Sequence, residues 1–342
     1  MSATPTRLTR RDFASDQEVR WCPGCGDYAI LASVQKVMPE LDVPREQVVF
    51  VSGIGCASRF PYYMNTYGIH TIHGRAPAFA TGIKIANPSL SVWVVGGDGD
   101  LLSIGGNHLL HVLRRNLDVQ ILLCNNRIYG LTKGQYSPTS RVGSRTKSTP
   151  SGSIDTPIDP LALALGANAS FVARTVDTDA KHLQGVLARA ARHHGTSFVE
   201  ILQNCPVFND GEWDELAHAG LRPDTTLRLE HGQPLVFGDP GRRRGLVLRG
   251  LEPAVVELAE GEDPLERGVL VHDETSATLA ALLARLHLPE LPEAVGVLRA
   301  VERPPYEELL EAQVAEAQAR GPGSLHALLR SGDVWSVPGD PR

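Results

Sequence analysis

The sequence predicts an α/β protein with a mostly parallel sheet and helices on both faces. Three observations in the stretch Ser91–Gln135 carry this. Val92–Val95 and Val119–Leu123 are short apolar runs with the look of strands buried on both faces. Between them Ile104, His108, Leu109, Val112 and Leu113 recur at helical spacing, so the stretch reads as a β–α–β unit with a right-handed crossover. The first strand runs into Gly97-Asp98-Gly99-Asp100 and the second into Asn125-Asn126. Both sequences therefore fall at the carboxyl edge of a parallel sheet, where such sheets bind ligands.

The chain has 342 residues, 42% hydrophobic and 21% charged, enough for a large core plus a smaller appendage. A net charge of −6 gives no electrostatic reason to expect nucleic acid or an anionic membrane as a partner. No apolar run approaches the ~18 residues that a membrane span needs. The first residues, MSATPTRLTRRDFASDQEVR, are partly basic but lack the apolar stretch of a secretory signal. The expectation is a loose tail over residues 1–17 and a cytoplasmic protein. No internal repeat stands out.

Taken from the N-terminus, Cys22-Pro-Gly-Cys25 sets two thiols on one tight turn ahead of a helix starting near Tyr28. Cys56 lies in Gly53-Ile54-Gly55-Cys56, after a strand at Val48–Ser52. Cys205 lies in Asn204-Cys205-Pro206, after a strand at Ser197–Leu202, whereas Cys124 closes an apolar strand and reads as a small buried hydrophobe. Five cysteines, an odd count, with no signal segment argue against a disulfide framework. From spacing alone, an iron–sulfur centre, a zinc site and unrelated cysteines carry comparable weight. His108 and His111, three apart on one helix face, read as packing.

The carboxyl edge suits a metal diphosphate. Gly97 and Gly99 let backbone amides approach phosphate oxygens. Asp98 offers a hard anionic oxygen, Asn126 an amide oxygen, and the carbonyl of Ile128 a third ligand for an octahedral Mg²⁺. Asp and Asn after strands are also ordinary turn formers, but the two motifs together resemble the thiamine diphosphate motif, GDG followed by an NN pair. The run is not a dinucleotide fingerprint, since Leu102 stands where a third Gly or Ala belongs. With a thiamine motif adjacent, the loop thiols read as an iron–sulfur centre, because thiamine intermediates can be oxidised by one-electron relays.

The segments WCPGCGDY, SGIGCASRFPYY, IHGRAPAFATG, GGDGD, NNRIYGLTKGQYSPTS and QNCP, in this order between about Glu18 and Asp214, resemble the β subunit of 2-oxoacid:ferredoxin oxidoreductases, most closely the 2-oxoglutarate branch. The resemblance implies the thiamine diphosphate-binding fold and three bound groups: thiamine diphosphate, Mg²⁺ and one [4Fe–4S] cluster. It implies Cys22, Cys25, Cys56 and Cys205 as cluster ligands, and Asp98, Asn126 and Ile128 as Mg²⁺ ligands. Thiamine contacts fall on Ile54, Gly55, Cys56 and Ala57, on His73, on Gly99 and Asp100, and on Gly130 and Leu131. Lys133 of the LTKGQ segment is implied to face the substrate, with His73 and Arg75 of the His-Gly-Arg turn suited to a diphosphate and a carboxylate. The implied reaction is coenzyme A-dependent oxidative decarboxylation of a 2-oxoacid to an acyl-CoA, succinyl-CoA from 2-oxoglutarate, with electrons passing to ferredoxin, or its reverse. An α subunit would supply the pyrimidine-binding domain and activating glutamate in an (αβ)₂ assembly.

Residues 18–214 make up the expected cofactor domain. Within it, 137–160 is a Ser-, Thr- and Pro-rich stretch that either covers the site, meets a partner or is disordered. Pro160–Leu165, Asp179–His193 and Ser197–Leu202 return to an α/β pattern, with Thr178-Asp179 as a helix start. Residues 215–342 are expected to be a C-terminal extension for packing or subunit contact, with helices over Ser276–Leu286 and Tyr306–Ala319. Two other readings stay open on the residues: a thiamine carboligase or decarboxylase without electron transfer, and a zinc-stabilised binding module.

Overall fold

The computed structural model describes residues 8–337 and 339. Its strands are β1 (Val48–Ser52), β2 (Tyr67–His70), β3 (Ser91–Gly97), β4 (Val119–Asn125), β5 (Ile128–Tyr129), β6 (Gln135–Tyr136), β7 (Phe171–Val176), β8 (Ser197–Leu202), β9 (Thr226–Leu229), β10 (Val236–Phe237), β11 (Arg244–Arg249), β12 (Glu252–Glu257) and β13 (Glu293–Ala300). Its helices are α1 (Asp27–Val37), α2 (Phe60–Tyr63), α3 (Ala76–Ala86), α4 (Asp98–Leu102), α5 (Gly106–Arg115), α6 (Pro160–Gly166), α7 (Ala180–Arg192), α8 (Asp214–Ala217), α9 (Arg222–Thr225), α10 (Ala277–Ala284), α11 (Tyr306–Ala319) and α12 (Leu325–Leu329).

Eight strands form the main sheet in the order β2-β1-β3-β4-β8-β7-β13-β9. The first six pair in parallel throughout. Alternate residues of β3 feed two cores, as the pleat requires. Val92 and Val94 pack with α3, α5 and α6, while Trp93 and Val95 pack with α1 and α7. The fully buried Phe50 and Trp93 stack at 5.9 Å between ring centroids on the second face, a contact worth about 0.5–1.5 kcal/mol beyond area burial. Asp179 caps α7 by accepting from the His182 amide, and Ser276 caps α10 in the same way.

Three expectations change. The crossover between β3 and β4 is two helices. Asp98 already opens α4, the chain breaks at Ser103–Gly105, and Ile104 is left exposed. A Cβ on Gly105 would lie 2.3 Å from the Asp100 carbonyl, so this close turn requires glycine. The loose tail is also corrected. Residues 1–7 lie outside the described residues, but Arg10–Phe13 form a 3₁₀ turn that buries Phe13 completely, and Ala14 bridges to Met64. Finally, a boundary at 214 does not divide the sheet, because β9 and β13 extend it beyond β7. β13 runs antiparallel to β7, and β10–β12 form a small antiparallel sheet of their own. No helix among the described residues is long and apolar enough to cross a membrane.

Candidate active site

The loops at the carboxyl ends of β1, β3 and β4 enclose a cavity of about 480 Å³. Ile54, Gly55, Cys56 and Ala57 line it from the loop after β1, and His73 from the turn after β2. Gly97, Asp98, Gly99 and Asp100 line it from the end of β3 and the start of α4. Cys124 near the end of β4, and Asn126, Ile128, Tyr129, Gly130, Leu131, Thr132 and Gln135 after it, complete the wall. Residues implied by the resemblance as thiamine and Mg²⁺ contacts thus share one cavity. Lys133 and Arg75 are not part of its lining. Lys133 is exposed in the turn joining β5 to β6, in a left-handed conformation with φ of 74°, and its amide donates to the Gly130 carbonyl at 3.0 Å. Arg75 donates to the Ile104 carbonyl at 3.2 Å.

Asp100 ties three loops together. Its Oδ1 accepts from the Ile54 amide at 2.9 Å and the Gly74 amide at 2.7 Å, and lies 2.7 Å from His73 Nδ1. Its buried Oδ2 has no hydrogen-bond partner among the described residues. A Cβ on Gly53 would fall 2.1 Å from that oxygen, and one on Gly99 would fall 2.1 Å from the Tyr129 ring. Tyr129, whose hydroxyl donates to the Gly99 carbonyl at 2.9 Å, is a cavity residue that sequence reasoning missed. A bulky aromatic packed against a glycine thirty residues away leaves no mark in linear order.

Asp98 is 1% exposed and makes no ion pair among the described residues. Burial pushes its carboxyl up, opposed by hydroxyl donation from Ser137 and then Thr139. Both hydroxyls reach Oδ2, that of Thr139 at 2.6 Å. These residues open the 137–160 stretch, which is therefore tied to the site at its start. Asn125 Oδ1 lies 3.0 Å from the same Thr139 hydroxyl and shares its one hydrogen with Asp98, and Asn125 Nδ2 donates to Glu200 Oε1 at 2.7 Å. Arg174 bridges Glu200 to Glu293 of β13, and His287 meets both Glu293 and Asp159. One hydrogen-bonded chain thus runs from the cavity floor through the sheet to the extension. The donor set of a buried carboxylate, an amide oxygen and a peptide carbonyl fits a hard divalent cation.

The thiols gather at the other end. All five cysteines are free. A Cβ on Gly130 would lie 3.5 Å from Cys56 Sγ and 3.6 Å from Cys205 Sγ, so these two sulfurs flank one glycine. Cys25 Sγ meets Asp27 Oδ2 at 3.5 Å and receives Gln203 Nε2–H at 3.2 Å. Burial, and next the Asp27 carboxylate, push Cys25 well up and Cys56 to about 12; charge on Cys22 and Cys205 also raises Cys56. Asp27 itself is pushed up to about 7 by burial. Among the described residues, no three His, Cys, Asp or Glu side chains converge as one metal ion would require. Cys124 is 1% exposed and sits in the apolar core as well as at the cavity wall.

Comparison with known proteins agrees with this geometry. Residues 53–201 match the family described as thiamine pyrophosphate enzyme, C-terminal TPP binding domain. The 2-oxoglutarate oxidoreductase subunit KorB of Mycobacterium tuberculosis is 52% identical over 333 residues, covering 96% of this chain and 88% of the relative. Subunit beta of 2-oxoacid:ferredoxin oxidoreductase 2 from Aeropyrum pernix is 44% identical over 295 residues, covering 85% of this chain and 92% of the relative. A solved structure, the 2-oxoglutarate:ferredoxin oxidoreductase from Magnetococcus marinus with 2-oxoglutarate, coenzyme A and succinyl-CoA bound, superposes with a TM-score of 0.75 at 32% identity over 95% of each chain. On its sequence, its sheet and the cavity at the sheet's carboxyl edge, the chain belongs to the 2-oxoacid:ferredoxin oxidoreductase β subunits and is most like their 2-oxoglutarate branch.

Proposed function

We propose that this β subunit binds thiamine diphosphate through Mg²⁺ in the cavity after β3 and β4 and carries a [4Fe–4S] cluster on Cys22, Cys25, Cys56 and Cys205. The reaction is 2-oxoglutarate + coenzyme A + two oxidised ferredoxins → succinyl-CoA + CO₂ + two reduced ferredoxins + H⁺, or its reverse. The observation that carries this reading is the shared wall: Asp98, Asn126 and Ile128 line the same cavity as Cys56, beside Gly130 and Cys205. The cofactor, when bound, supplies a nucleophilic carbon and an electron sink.

The chain's own residues do the rest. Asp98, Asn126 and the Ile128 carbonyl hold the cation, and Asp98, buried without a counter-charge, gains most from it. Asp100 fixes the loops carrying Ile54 and His73, so those residues are in place before the cofactor arrives. His73 is oriented through Nδ1, which leaves Nε2 as its remaining polar atom. Lys133 meets the substrate carboxylate from the rim; Arg75, engaged with Ile104, plays the lesser part. Cys56 and Cys205 flank Gly130, and Cys22 and Cys25 lie near enough to interact electrostatically with Cys56, a spread of thiols that suits a multi-atom cluster. The family assignment supports this reading over a zinc-stabilised module or a carboligase without electron transfer. An α subunit supplies the pyrimidine side of the cofactor and its activating glutamate, and two αβ units pair.

The test is viologen reduction by the chain co-purified with its α partner, with coenzyme A and either 2-oxoglutarate or pyruvate. Iron and sulfide are assayed on the same sample. The expected result is about four irons and four sulfides per β subunit, faster turnover of 2-oxoglutarate, and no turnover by the chain alone. Equal or better turnover of pyruvate overturns the substrate assignment, and absence of iron and sulfide overturns the cluster.

A further inference from the structure

Gln203 follows β8 and is 1% exposed. Its side chain uses both ends. Nε2 donates to the Asn204 carbonyl at 2.9 Å and to Cys25 Sγ at 3.2 Å, and Oε1 accepts from Asn126 Nδ2 at 2.9 Å. Backbone groups fix the orientation of both amides. The Asn204 carbonyl only accepts, so the Gln203 nitrogen must face it. The Ile128 amide donates to Asn126 Oδ1 at 3.2 Å, so the Asn126 nitrogen must face Gln203. Room for this arrangement comes from Gly26: a Cβ there would stand 2.7 Å from Gln203 Cγ and 1.9 Å from Asp177 Oδ2. One buried amide thus touches a cation ligand on one side and a cluster cysteine on the other.

We propose that Gln203 is a positioning residue that links the two ends of the cavity. Its oxygen holds the Asn126 amide so that Asn126 Oδ1 serves the cation, and its N–H donates to the Cys25 sulfur and raises the reduction potential of the cluster ligated there. The inference rests on Cys25 being a cluster ligand. Its physical basis is general. A hydrogen bond to a ligating sulfur stabilises the more negative, reduced state, and partners behind a metal ligand set its orientation and affinity. The linkage runs through a single side chain, so one substitution acts on both groups.

The experiment uses the αβ complex and two variants, Gln203→Met and Gln203→Glu. Met removes donor and acceptor together. Glu keeps an oxygen for Asn126 but no amide N–H for Cys25. Two readouts are taken: the cluster midpoint potential from a redox titration followed by electron paramagnetic resonance, and Mg²⁺-dependent thiamine diphosphate affinity by calorimetry. In Gln203→Met the one-electron reduction equilibrium falls about tenfold, which is ~59 mV more negative, and cofactor affinity falls about 10–100-fold. In Gln203→Glu the potential also falls, while affinity stays within a few-fold of wild type.

An unchanged potential in Gln203→Met with wild-type iron and sulfide overturns the tuning role, and unchanged cofactor affinity there overturns the link to Asn126. Should Met fail to load the cluster, Gln203→Glu decides on its potential. Failure of both variants to hold the cluster makes Gln203 a structural residue and overturns the proposal. Wild-type complex lacking iron and sulfide instead defeats the cluster reading itself, before any variant is made.

Discussion

At the oxygen end of the cavity, Asp98 is almost fully buried and its Oδ2 is held by Ser137 and Thr139, with Asn125, Glu200 and Arg174 behind. At the sulfur end, Cys22 is exposed, Cys25 and Cys56 are half-buried, and each sits on a loop. The first is a rigid set of side chains backed by the central strands. The second is three chain segments, around residues 22–25, 56 and 205, and in two of them burial pushes the thiols of Cys25 and Cys56 up, disfavouring the thiolate. A site backed by the sheet keeps its shape without its ligand. A site distributed over loops depends on the ligand for its shape, and the energy of ligation then becomes folding energy.

The sharpest way to break this contrast is a crossed pair of variants. Cys205→Ser is expected to lose the iron–sulfur absorbance entirely and to lower Tm, whereas Cys124→Ser keeps the absorbance. Asp98→Ala is expected to keep the cluster while Mg²⁺-dependent thiamine diphosphate affinity falls more than ~100-fold by calorimetry, beyond the loss typical of residues that only support a ligand. If Cys205→Ser unfolds nothing, or Asp98→Ala also bleaches the cluster, the two ends are not built differently.

A smaller effect tests the backing at the oxygen end. Thr139→Val removes one hydroxyl from Asp98 and leaves Asn125 Oδ1 without that donor. The expected cost is about 1–3 kcal/mol in unfolding free energy, with weaker cofactor binding and an unchanged cluster spectrum. Denaturant titration and calorimetry read the two losses separately, and wild-type values in both would show that the hydroxyl is ornamental.

Most of the cavity wall is legible in the sequence because its residues follow strands in short glycine-containing loops, and the apolar runs of β1, β3 and β4 locate the strand ends. Ser137, Thr139 and Gln203 are not legible in that way. Each is an ordinary polar residue whose importance comes from a partner elsewhere in the chain, and no periodicity marks such a pairing. The extension was unreadable for a related reason. The position of β13 beside β7 is accompanied by a buried ion group, Arg174 between Glu200 and Glu293, whose members are distant in sequence. Local propensity correctly located the helices at Ser276 and Tyr306 but held no information about which sheet edge the intervening strand would join.

The smallest expected effect concerns pH at the far end of the same chain of contacts. Hydrogen bonding to Asp159, then to Glu293, holds the His287 imidazole up at about 9. A folded value above the unfolded value of roughly 6.5 means stability that is fully present below that unfolded value and lost as pH rises through about 9. Wild-type Tm is therefore expected to fall modestly between pH 7 and pH 9.5, roughly the interval over which such a group titrates. The fall should be shallower in His287→Phe, with the cluster spectrum constant throughout. A Tm profile of identical slope in the variant would exclude His287 from that pH dependence.

The late position of β13 has a consequence for biosynthesis. During synthesis, β7 is made long before Glu293 exists, so its outer edge offers unpaired backbone groups and the Arg174 guanidinium has Glu200 but not Glu293. Open, largely apolar strand edges are templates for association between chains. Chains truncated anywhere between β8 and β13 would carry this edge permanently, so the final third of the polypeptide guards the catalytic sheet against its own copies.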